Sequence, residues 1–125
     1  MNQYIRNYTA GGAINPFRLI RRGAVDGQVL QANANNAVLV GVAVIPETTT
    51  VAANERVDVG LDRFLPVEYG GAVSRDDPLT SDAQGRAIAA APAVGANMHI
   101  IGYADVAGVS GDVVDVYIRP ARIQG

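Results

Sequence analysis

The chain has 125 residues, 49% of them hydrophobic and 18% charged, with a net charge of −2. That length suits one domain and that composition a globular one, so a disordered polymer is excluded and a core can form without staples. Cysteine, tryptophan and lysine are all missing, which removes disulfides, thiolate metal sites, cysteine nucleophiles, Schiff-base chemistry and the lysine-bearing phosphate loop.

All ten basic residues are therefore arginines, and they are unevenly placed. Residues 1–25 hold Arg6, Arg18, Arg21 and Arg22 with no acid, a side-chain sum of +4. The other six arginines face twelve acids, a sum of −6. No apolar run approaches the ~18 residues of a membrane span. Met1 to Ala10 also lacks the hydrophobic stretch of a secretion signal. The expected setting is the cytoplasm or a particle assembled there, with no membrane partner. A negative body gives no bulk attraction to nucleic acid either.

The first sixteen residues end at Pro16 and carry Tyr4, Ile5, Tyr8 and Ile14. They are too apolar for a solubilising tail and too short to fold alone, and such segments order against something else. The expected organisation is an extended N-terminal arm over 1–16 and a single β domain over 17–125. Arg18, Arg21 and Arg22 flank Leu19 and Ile20. They read equally as a basic patch for an acidic partner and as a solvated strand face. The interleaved aromatics of a single-strand binder are missing from this stretch.

Across the whole chain Val (17) and Ile (9) outnumber Leu (6), a bias toward strands. Gly and Pro recur too often for ordinary helices, and the best helical run, Ala87 to Ala91, is confined to about a turn by Gly85 and Pro92. Asp26-Gly27 suits a tight hairpin turn before Gln28 to Gln31. Val38 to Ile45 reads as a strand buried on both faces, interrupted by Gly41. Val57 to Asp62 alternates, with Val57, Val59 and Leu61 on one face and Asp58 and Asp62 on the other. Val114 to Arg119 alternates likewise, with Val114, Val116 and Ile118 inward.

These pieces occur twice. Asp26-Gly27-Gln28-Val29 is echoed by Gln84-Gly85-Arg86-Ala87, Val40-Gly41-Val42-Ala43 by Ile101-Gly102-Tyr103-Ala104, and Val57-Asp58-Val59 by Val114-Asp115-Val116, at offsets of 58, 61 and 57 residues. Order is kept and only loop lengths drift. The fold class expected is all-β: a small β-sandwich or barrel made of two similar halves.

Chemistry is scarce. His99 sits in a predicted strand, and no nucleophile-elbow pattern surrounds Ser74, Ser81 or Ser110. One histidine without cysteine leaves only carboxylates for a metal. Asp76, Asp77 and Asp82 lack the spacing of a calcium loop and read as turn residues. With 6% aromatics and no tryptophan, a sugar platform is poorly supplied. No catalytic, cofactor or metal residue is expected, and the chain is read as a non-enzyme.

The run of parts from Phe17 to Ile123 resembles the small capsid decoration, or cement, proteins of tailed bacteriophages. The likeness is carried by Asp26-Gly27-Gln28-Val29, Val40-Gly41-Val42-Ala43, Val57-Asp58-Val59, Gly70-Gly71-Ala72-Val73, Asp77 to Arg86, Ile101-Gly102-Tyr103-Ala104 and Gly111 to Val116. The resemblance implies a β-rich homotrimer on the outer surface of the virion, binding the major capsid protein and reinforcing the shell. Tyr4, Ile5, Arg6, Tyr8, Ile14, Arg18, Arg21 and Arg22 are the expected capsid or subunit contacts. The competing expectation is a small β domain that binds a carbohydrate or small molecule in a pocket between the halves.

Overall fold

Alternating runs bounded by Gly and Asp turns give ten strands in the computed structural model, which describes residues 5–35 and 37–125. They are β1 (Ile5–Ala10), β2 (Leu19–Arg22), β3 (Gln28–Gln31), β4 (Leu39–Ala43), β5 (Arg56–Gly60), β6 (Arg63–Glu68), β7 (Pro78–Ser81), β8 (Ala87–Ala89), β9 (Asn97–Ala104) and β10 (Val113–Gln124). No helix forms among the described residues, and the Ala87–Ala91 run supplies strand β8. The all-β expectation is borne out.

The first five strands close into a barrel in the order β1-β3-β2-β4-β5. Closure comes from β1, antiparallel to β5 from Ile5↔Gly60 to Thr9↔Arg56 and parallel to β3 at Thr9↔Gln28 and Ala10↔Val29. The second five form a sheet ordered β6-β10-β9-β7-β8, whose two end strands are joined by a parallel bridge, Tyr69↔Ala87. That bridge repeats Ala10↔Val29, so the second half curls as the first does.

The duplication is real and deeper than the sequence reading made it. The repeating unit begins at β1: Gly11-Gly12-Ala13-Ile14 returns as Gly70-Gly71-Ala72-Val73, 59 residues on. Ala10 donates to the Glu55 carbonyl and Tyr69 to the Asp112 carbonyl, each at 2.8 Å. The bridge Ile14↔Val51 matches Val73↔Gly108. Phe17 and Asp76 share a positive φ, 63° and 72°, and Gly27 and Gly85 share φ 78°. Even the side-chain caps correspond, since Glu55 Oε1 accepts from Ala52 N at 2.7 Å and Asp112 Oδ2 from Val109 N at 2.9 Å.

One apolar cluster fills the first barrel: Tyr8, Ala10, Ile14, Ile20, Val29, Ala43, Val51, Val57 and Val59. A second fills the other half with Val67, Tyr69, Leu79 and Val116 and runs on across the seam. There Leu19, Ala32, Leu39 and Val42 meet Leu65, Ile101 and Ile118. The seam is a packed apolar contact, so the space expected to hold a ligand between the halves is filled by side chains.

The segment expected to project as an arm lies in the barrel wall from Ile5 onward. Its apolar residues do order against a strand edge by β-addition, but the edge is the chain's own β5 and β3. Ala10 and Ile14 are fully buried. Tyr4 lies outside the described residues. The run Val38 to Ile45 is also shorter as a strand than expected, because Val38 and Val44 at its ends are exposed.

Candidate functional site

The expected contact residues separate into two groups once placed. Tyr8 and Ile14 are core residues of the first barrel. Arg18 lies at the seam, where its Nη2 donates to Glu68 Oε1 at 3.1 Å and its Nη1 to the Gln84 carbonyl at 3.0 Å. Arg21 is half-buried, with Nη1 on the neighbouring Arg22 carbonyl. Tyr8, Ile14 and Arg18 serve the chain's own fold: barrel closure buries the first two and the seam half-buries the third, and neither was visible in charge counting.

Ile5, Arg6 and Arg22 stay on the surface. The Arg6 guanidinium lies 6.0 Å from the Tyr8 ring centroid, within cation–π reach. Arg6 and Arg22 together line an open cleft of about 370 Å³ that also includes Tyr8, Asp26 and Gln28. The basic leader therefore survives as two exposed arginines at one end of the first barrel.

The opposite charge gathers at the second half. Tyr69 donates its hydroxyl to the Val106 carbonyl at 2.8 Å. Its phenol is pushed above the usual range, first by burial and then by Asp105, Asp77 and Asp112 around it. The acids have structural work as well. Asp77 accepts from Ser74 N at 2.9 Å, while Asp82 accepts from Gln84 N and Arg86 N and pairs with Arg86 Nε at 3.0 Å. The turn reading of this cluster holds, and no group of three or more potential metal ligands occurs among the described residues. His99 lies in β9 and contributes its backbone, accepting from Thr80 Oγ1 at 2.7 Å and donating to the Asn35 carbonyl at 3.1 Å.

A feature the sequence reading missed is an apolar row on the outer face of the second sheet. Phe64, Tyr117, Tyr103 and Pro78 are register partners across β6, β10, β9 and β7. Phe64 is 50% exposed and the two tyrosines 37% each, with the Phe64 and Tyr117 rings 5.2 Å apart. The available signal was alternation: Tyr117 stands between the inward Val116 and Ile118, so its ring had to face out.

The fold is similar to a solved phage structure, the N base of head fiber gp8.5 of bacteriophage phi29. The likeness covers 99% of this chain and 100% of that one, at a TM-score of 0.71 and 20% sequence identity. No protein-family model matches the sequence, and no curated protein matches it.

Proposed function

We propose that this chain is a non-enzymatic structural component of a bacteriophage head, seated on the outside of the shell against the major capsid protein as a homotrimer. The observation that carries the reading is the end-to-end match of fold with a protein whose printed description is the base of a head fiber. An isolated shared barrel would be weak support, but here both halves and their seam fall within the matched length. The resemblance of the Phe17–Ile123 run to capsid decoration proteins points to the same place by a separate route.

The physical design supports a surface-borne role. Asp77, Asp82 and Asp112 cap turns, Glu68 and Asp82 pair with arginines, the histidine's hydrogen bonds run through its backbone, and the clefts are open. The two halves meet in a packed apolar seam, a construction suited to transmitting load between shell subunits. Several weak contacts made together by one trimer act as a single strong attachment.

The test is co-sedimentation of purified protein with heads of the encoding phage that lack it. Saturable binding at a fixed ratio to the major capsid protein, with heads that then resist heat or chelator better, is the expected result. Heads that leave the protein in the supernatant at every concentration would overturn the reading.

A further inference from the structure

Equivalent rows on the two halves have different surroundings. In the first half Ile5, Gly60, Val42 and Leu19 are register partners across β1, β5, β4 and β2. They correspond in the unit repeat to Phe64, Tyr117, Tyr103 and Pro78. Beyond Ile5, which is 40% exposed at its end, the first row is covered by the second half: Leu19 is 0% and Val42 1% exposed, within the cluster that includes Leu65, Ile101 and Ile118. A Cβ placed on Gly60 would strike the Leu65 side chain, so the contact is close. The second row faces solvent.

The covering side has its own counterpart. Leu65, Ile101 and Ile118 correspond to Arg6, Val40 and Leu61, which lie 59, 61 and 57 residues earlier. Arg6 is exposed, and Val40 and Leu61 are only partly buried at the rim of the first barrel. Each chain thus carries, left open, one copy of both sides of the interface that joins its halves.

We propose that the chain associates with itself head to tail, the Phe64–Tyr117–Tyr103–Pro78 row of one copy seating the Arg6, Val40 and Leu61 end of a second. The contact repeats, between copies, the one that already holds the halves together within a copy. The substitutions between repeats are complementary. Arg6 stands where Leu65 stands and Tyr117 where Gly60 stands, so a guanidinium falls over a phenol ring instead of a methyl over bare backbone. A heterologous contact of this kind closes into a ring when its rotation divides the circle. This inference rests on the repeat and its burial pattern and stands whether or not the partner particle is a phage head.

The experiment is sedimentation of the full chain and two variants, Tyr117→Arg in the row and Leu61→Arg in the end, across a wide concentration range. The first sets a cation against Arg6, and the second adds a cation beside it. Wild type is expected as a closed oligomer and each variant as a monomer, with thermal melts confirming that both variants fold. If either melts early, Tyr103→Arg or Val40→Arg takes its place. An equimolar mixture of the variants is decisive, because it retains one intact row and one intact end. It should yield particles of twice the chain mass and nothing larger. An oligomer broken by Tyr117→Arg and untouched by Leu61→Arg means rows facing each other, which overturns the proposal. So does a wild-type chain that stays monomeric at every concentration. In that case loss of head binding by Tyr117→Arg would assign the row to the shell.

Discussion

Gly41 and Gly102 hold one position in two copies of the same unit. A Cβ on Gly41 would strike the carbonyl oxygen of Gly60, and a Cβ on Gly102 that of Tyr117, the residue 57 positions on from Gly60. In each half the strand bearing the glycine therefore lies against its neighbour more closely than any side chain permits. The obstacle is backbone and cannot rotate away. Gly41→Ala and Gly102→Ala should each destabilise the protein by about 1–3 kcal/mol, read as a shift of the urea midpoint at constant slope.

Much of this was legible in the sequence, for identifiable reasons. Alternation in Val57–Leu61 and Val114–Ile118 marks the inner faces, and the paired central glycines mark the duplication. The missing piece was β1. Its alternation is weak because Arg6 and Asn7 interrupt the apolar residues, and its charge suggested a leader. The better signal was Gly11-Gly12-Ala13-Ile14 returning as Gly70-Gly71-Ala72-Val73, which makes the first residues half of a repeat and not an appendage. The surroundings of the expected contact residues were less legible. Whether Arg18 faces a partner or Glu68 depends on a seam between halves, and a single strand's pattern does not encode it.

Glu68 ties the halves together from the second side of that seam. Its Oε1 accepts from Arg18 at 3.1 Å and its Oε2 faces Arg86 Nη1 at 3.8 Å, with the three side chains 17–27% exposed. Exposed pairs are worth ~0–1 kcal/mol, and breaking a fully buried pair costs 3–5 kcal/mol. For this partly buried triad Glu68→Gln should destabilise by about 1–2 kcal/mol. A double-mutant cycle with Arg18→Met measures the coupling, and a cycle that closes at zero would show the pair to be idle.

Tyr69 makes stability depend on alkaline pH. Burial and the nearby Asp105, Asp77 and Asp112 raise its phenol above the ordinary value of 10.0. A group whose folded pKa is raised contributes stability that is fully present below the unfolded value and is lost as pH rises through the folded one. The melting temperature should therefore fall from about pH 10 upward, over a window set by this phenol. Tyr69→Phe should be less stable at neutral pH by about 1 kcal/mol, the net worth of the bond to the Val106 carbonyl. It should also flatten the alkaline decline. An equally steep decline in the variant would place the titration elsewhere.

Removing residues 1–16 distinguishes a barrel strand from a docking arm. An arm would leave melting intact and abolish attachment. The strand seen here supplies Tyr8, Ala10 and Ile14 to the first core. Burial of large side chains such as Tyr8 and Ile14 contributes roughly 1.5–3 kcal/mol each. The strand also satisfies the backbone of β5 over the register Ile5↔Gly60 to Thr9↔Arg56, and that of β3 through bonds such as Gly11 N to the Val29 carbonyl. Without it the barrel opens, two edges are unpaired, and the exposed β5 invites a strand from another chain. A chain starting at Phe17 should therefore lose several kcal/mol, a large fraction of the ~5–15 kcal/mol that holds a domain folded. Aggregation, or a loss of near-ultraviolet circular dichroism, is the expected outcome. The second half has its own core in Val67, Tyr69, Leu79 and Val116, so amides in β9 and β10 should keep more protection from hydrogen exchange than those in β2 to β5. Melting equal to full length would show that β1 contributes nothing to the barrel and would restore the arm as a free segment.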